Sequence, residues 1–211
     1  VDELKGNTIM IARAVKLILG DLNRYIASHD DDGTSPGPDH VVAGNIALAD
    51  VQDLSPSIRQ RVVASVVNIA EEATLKNAPY YDRSGTQMRY RNPPAFLNLY
   101  LLFSANYDDY EVALVRLSQV VSFFQGKNTF SLKDSLSEAP DEGLIAEAGD
   151  MLLILDLFAL TFEQVNYLWA SLGGKQMPFV LYKVRLVRVQ AGRTRAEAPV
   201  IEDISSKEDA V

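Results

Sequence analysis

Cysteine is absent from the 211 residues, which removes disulfides, thiolate metal sites and thiol nucleophiles together and fits a reducing compartment. Histidine is nearly absent: a zinc centre would have to rest on His29, His40 and carboxylates. Positive charge is scarce, 20 Lys and Arg against 28 Asp and Glu, and the resulting net charge of −8 speaks against a broad nucleic-acid or anionic-membrane footprint. Long apolar runs are missing as well. Arg13 and Lys16 interrupt the first one and Asp156 the richest, so no stretch reaches membrane-spanning length, direct membrane insertion is not expected and the chain reads as soluble. The first residues lack a basic segment followed by an unbroken apolar one, so no secretory signal is expected.

Catalytic patterns are missing too. No serine lies in a Gly-x-Ser-x-Gly turn, and both histidines flank one loop, away from any nucleophile. Gly173-Gly174-Lys175 lacks the earlier glycine and the following Ser or Thr of a phosphate loop, and it follows a helix, so it reads as a helix stop. Ser28-x-Asp30-x-Asp32-Gly33, with Asp39 in the twelfth place, has the alternating oxygens of a calcium loop. Ser28 is a poor first ligand, however, and Pro36 and Pro38 occupy the second half, so an acidic surface loop is expected. A divalent site on His29, His40 and Asp30 or Asp39 is disfavoured for the same mobile loop. The expectation is a protein that is not an enzyme and has no cofactor and no metal.

What is present is a scaffold. Pro93-Pro94 leads into a strand whose alternate residues Leu97, Leu99, Leu101, Phe103 and Ala105 make one apolar face, with Phe96, Asn98, Tyr100, Leu102 and Ser104 on a mixed one. Ile11, Val15, Ile18, Leu22 and Ile26 predict an amphipathic helix over 8–28. Strands are expected at 40–48, 61–70, 151–158 and 177–189. A second helix follows Asp108, with Glu111 in capping-box register and Tyr110, Leu114, Leu117, Val121 and Phe124 on one face. A short helix starts at Thr161, carries Trp169 as a core anchor and stops at Gly173. Residues 80–92 read as a long basic and aromatic loop, and 128–150 as polar and turn-prone. Lys183, Arg185 and Arg188 place charge on the last strand, either as a guarded sheet edge or as a contact with an acidic partner.

Strands come in groups with helices between them, which predicts an α+β fold. It consists of one domain over 1–191, a mostly antiparallel sheet packed by two long amphipathic helices and a short one. A polar tail over 192–211 is expected to be disordered on its own.

Four segments in order, 67–77 (Val67-Asn68-Ile69-Ala70-Glu71 onward), Pro93-Pro94 with 97–102, Leu168-Trp169, and 178–184 from Pro178, give the chain a family likeness. The sequence resembles the N-terminal domain of the cap, or tail-terminator, proteins of phage-tail-like extracellular contractile injection systems over residues 9–189. That resemblance implies a structural cap: a ring, a homohexamer, on the distal end of the inner tube that anchors the last ring of the contractile sheath. The implied partners are therefore further copies of the chain, the tube protein and the sheath protein. The implied location is the cytoplasm during assembly and the particle thereafter. The alternative is a monomeric adaptor domain that recruits a protein partner to such a particle. In either case Tyr81, Arg83, Arg89, Tyr90 and Arg91 are the candidate contact residues, because Tyr and Arg are enriched where interfaces concentrate their binding energy.

Overall fold

A computed structural model describes residues 10–29, 39–49, 57–72, 81–84, 87–91, 95–131, 152–189 and 194–199. Helix α1, Met10–Ser28, leads into a short strand β1, Val41–Ala43, and a 3-10 turn at Ile46–Leu48. Strands β2 (Arg61–Glu71), β3 (Tyr81–Ser84), β4 (Gln87–Arg91) and β5 (Ala95–Asn106) follow. Then come α2 (Tyr110–Gly126), β6 (Thr129–Ser131), β7 (Leu152–Leu157), α3 (Phe162–Ser171), β8 (Phe179–Val189) and β9 (Thr194–Pro199).

Six strands form one sheet in the order β1-β2-β5-β8-β7-β6, and three form another in the order β3-β4-β9. β1 pairs parallel with β2, and every other pairing is antiparallel. The fold is thus α+β, with a mixed sheet and three helices.

The strand after Pro94 lies inside the sheet, between β2 and β8. Leu99, Leu101 and Phe103 are buried under one face together with Ile18, Leu22 and Ile26 of α1 and Val120, Phe123 and Phe124 of α2. Phe103 sits 5.3 Å from the Phe124 ring and 5.9 Å from Tyr182. Burial in this cluster pushes the Tyr182 hydroxyl from its ordinary 10 up to about 12, because the charged form would lose its water. On the opposite face Leu102, Leu181, Val63, Ile46 and Ile58 surround Trp169 of α3.

Polar contacts pin the helices to the sheet. Asn23 of α1 donates from Nδ2 to the Val41 carbonyl and accepts from the Val41 amide, both at 2.8 Å, fixing α1 on β1. Buried Asp21 accepts from Arg24 at 3.1 Å and from Lys127 at 2.8 Å, tying α1 to the end of α2. Gly44 passes so close to its neighbours that a Cβ there would lie 2.8 Å from the Ile58 side chain and 3.1 Å from Val63. Thr161 and Gln164 form the expected capping box of α3, and Gly173 and Gly174, at φ 106° and 83°, end it in a conformation that favours glycine.

Several expectations are corrected. The strand expected at 40–48 stops at Ala43, because Asn45 caps the Ile46–Leu48 turn by accepting from the Ala47 amide. The cap of α2 is Asp109, which accepts from the amides of Glu111 and Val112, whereas Asp108 turns to Arg59 at 3.1 Å. The buried face of α2 is Ala113, Arg116, Leu117, Val120, Phe123 and Phe124, so Tyr110 and Leu114 point outward. β8 is no edge, because it lies between β5 and β7, and its charges are paired across the sheet: Arg185 with Asp156 at 2.8 Å and Lys183 with Glu72 at 3.6 Å. Six residues inside the tail expected to be disordered, Thr194–Pro199, form β9, since a strand edge offers backbone partners even to a polar segment. The acidic residues 30–38 lie outside the described residues. His29 directs its Nδ1 at the Tyr25 carbonyl at 2.9 Å, and among the described residues no three metal-ligating side chains cluster.

Candidate docking surface

Residues expected to be a loop are a hairpin. The alternation Tyr81, Arg83 on one strand and Met88, Tyr90 on the other has the period of a sheet, and β3 pairs with β4 from Tyr81↔Tyr90 to Ser84↔Gln87. β9 completes the sheet along the other side of β4, from Gln87↔Pro199 to Arg91↔Thr194. The length of the segment and its run of Arg and Tyr gave the impression of a loop; the two-residue alternation was the signal that could have found it.

All five candidate residues lie in this sheet, Tyr81 and Arg83 on β3 and Arg89, Tyr90 and Arg91 on β4. Directly paired residues share a face, as do positions two apart. The register pairs Tyr81 with Tyr90, Asp82 with Arg89, Arg83 with Met88 and Ser84 with Gln87, and sets Ala196, Glu197, Ala198 and Pro199 opposite Tyr90, Arg89, Met88 and Gln87. Arg89 stands in register between Asp82 and Glu197. Arg91 falls beyond a register shift, opposite Thr194.

β4 leads into β5 through residues 92–94 and β8 into β9 through 190–193, and the antiparallel β5–β8 pair becomes the antiparallel β4–β9 pair. On the other side β2 neighbours β5 just as β3 neighbours β4. The small sheet forms an arm of three strands.

Apolar exposure is concentrated elsewhere. Tyr110, Leu114 and Val115 are 66%, 45% and 52% exposed on the outer side of α2, next to exposed Asp108, Asp109 and Glu111. On α3 and the end of β7, Phe162 is 96% exposed and Leu157 62%. The hydrophobic staple of α3 uses Leu160 and Val165, both packed on the Trp169 cluster, which leaves Phe162 without a packing role among the described residues. Sequence periodicity assigned Tyr110 and Leu114 to the core and did not single out Phe162. Among the described residues no helix is long and apolar enough to cross a membrane.

Residues 15–203 match the Pvc16 N-terminal domain family, and the chain belongs to that family. Its fold is similar to the tube-terminating cap of the anti-feeding prophage (AFP), with a TM-score of 0.52 and 15% identity, over 89% of this chain and 60% of that one. A sheath/tube terminator of an extracellular contractile injection system (PVC), in its extended state, matches with a TM-score of 0.48 and 16% identity over 72% of this chain and 50% of that one. The chain thus spans half to three-fifths of the length of those two proteins. No curated protein matches the sequence significantly.

Proposed function

We propose that this chain is the cap domain of a contractile injection particle: it closes the distal end of the inner tube and anchors the last sheath ring. The observation that carries the reading is the family match over residues 15–203, supported by the likeness of the fold to a tube-terminating cap. A terminator must present one surface that fits a tube ring and another that offers no seat for the next, and heterologous contacts that close under rotation supply both in a ring. The ring is a homohexamer, with the tube and sheath proteins as its other partners. It assembles in the cytoplasm and is then part of the particle.

Such a role is structural and asks for no nucleophile, metal or cofactor. Tyr81, Arg83, Arg89, Tyr90 and Arg91 belong to its protein-contact surface, held in one sheet by the pairing of β3, β4 and β9. The domain assignment is the body over 1–191, with a polar extension over 192–211 whose strand β9 completes the arm.

Polymerising the inner-tube protein in vitro with increasing amounts of this chain tests the reading. Tubes are expected to shorten as the molar ratio of chain to tube protein rises, with the chain at one end of each tube. Tubes of unchanged length, with the chain either unbound or spread along their sides, would favour an adaptor instead.

A further inference from the structure

We infer that two copies of this chain pair through the outer faces of their α2 helices, laid antiparallel about a two-fold axis at Ser118. The pairing is independent of the ring proposed above. The first observation is a helix face without charge. From Val112 to Gly126 the only charged residue is Arg116, which is buried and donates to Gln119 at 3.1 Å. The outer side of those turns carries Leu114, Val115, Ser118, Ser122 and Gln125, all exposed, with Val121 half-buried at the margin. A surface helix ordinarily turns charged side chains to water, and on α2 only Glu111 does so. Each copy has a net charge of −8, so two of them approach most readily where charge is missing, and this face is such a place.

The second observation is that the face complements itself. With Ser118 opposite Ser118 of a second, antiparallel copy, the helical repeat sets Leu114 against Val121, Val115 against Ser122 and Glu111 against Gln125. Apolar side chains therefore meet apolar or small ones. The two Glu111 carboxylates fall at opposite ends of the contact, about 20 Å apart, each beside an amide that can donate to it. Ser118 donates from Oγ to the Leu114 carbonyl at 2.8 Å, so a small side chain with its hydroxyl already satisfied sits where the helices come closest. Antiparallel helices also bring the positive end of each dipole to the negative end of the other.

The third observation is size. α2 has 17 residues and is about 25 Å long, so one helix face against another makes a small contact, of the weak and reversible class. An isologous contact of this kind closes at two copies, whereas neighbours in a ring meet through two different surfaces. The dimer is therefore the form of the chain outside a ring, in which each copy covers the apolar face of the other.

Because the chain lacks cysteine, a single introduced thiol reports the contact. Ser118→Cys sets its thiol on the two-fold axis, where helix axes about 8–10 Å apart bring the facing Cα atoms within disulfide range. Under mild oxidation of the full chain this variant is expected to become a covalent dimer at least about tenfold faster than Ser171→Cys, whose thiol is exposed on α3. Sedimentation velocity on the unmodified chain should show a reversible monomer–dimer equilibrium, weakened at least about tenfold by Leu114→Arg with Val115→Arg. Gln125→Lys sets a cation against Glu111 of the other copy twice per dimer and should tighten association roughly three- to tenfold, a gain that Glu111→Gln removes. Unchanged emission from buried Trp169 verifies that each variant is folded. Equal cross-linking at 118 and 171, or dimers that survive the arginine pair, would overturn the assignment of this face. A chain monomeric at every concentration would overturn the pairing and leave the face to another protein, and a closed ring without dimers would overturn the pairing while supporting the ring. No arm of the experiment contains tube protein, so the cap reading stands or falls separately.

Discussion

Replacing Phe103 by alanine is expected to lower the unfolding free energy by about 3–5 kcal/mol, read from denaturant unfolding followed by Trp169 emission. Phe103 is fully buried on the central strand, where its ring meets those of Phe124 of α2 and Tyr182 of β8. Alanine leaves a cavity that none of these can fill, because α2 is held at its start by Asp109 and near its end by the Lys127–Asp21 pair. Small domains have about 5–15 kcal/mol of stability in all, so the variant should unfold partly at physiological temperature. Its consequence reaches the arm, which hangs from the same strand. Phe103→Leu, which keeps most of the volume, should cost less than half as much.

Trp169→Ala is the second large effect, about 3–5 kcal/mol by the same reasoning, measured by circular dichroism since the only tryptophan is lost. Trp169 is 4% exposed and packs edge-on against Phe179 at 5.5 Å. It is the one buried residue of α3, so its removal should detach that helix from the sheet while the opposite core, under α1 and α2, stays packed. Loss of helix signal at a lower denaturant concentration than loss of the remaining structure is the expected sign. Trp169→Phe should be far milder. The indole Nε1 is buried without a hydrogen-bond partner among the described residues, so phenylalanine gives up volume but also removes an unsatisfied donor.

The parts of this fold that the sequence made legible are those where burial enforces a strict period. The strand after Pro94, the stripe of α1 and the capping box of α3 follow from spacing alone, because each has a face that must be dry. α2 was harder to read. It is apolar on nearly every side, so its pattern fits more than one rotation, and the packing of Phe123, Phe124 and Val120 decides in favour of the face that leaves Tyr110 and Leu114 outside. That ambiguity is informative, since a helix with apolar residues exposed on its outer face as well as a buried face is suited to a second partner.

The arm was illegible for a different reason. A two-residue period in a segment rich in arginine and tyrosine produces no apolar stripe, and its third strand, β9, comes from a region too polar to predict as ordered. Only the register shows that Tyr81 and Tyr90 are neighbours and that Arg89 lies between two acids. The edge alternative left open for β8 had the same origin. Lys183 and Arg185 look like exposed edge charges until the sheet order sets them beside Asp156 and Glu72. Cross-strand pairing, unlike helical periodicity, is fixed by residues far apart in the chain, so charge on a central strand and charge on an edge read alike in sequence.

Termination is best tested on whole particles. Electron microscopy of particles from cells with and without this chain, with tube and sheath lengths measured and the distal end averaged, bears on it most directly. With the chain present, tubes of uniform length should end in a cap that contacts the last sheath ring; without it, distal ends should be open and lengths variable or sheaths unstable. Capped particles of unchanged length in its absence would contradict the proposed role.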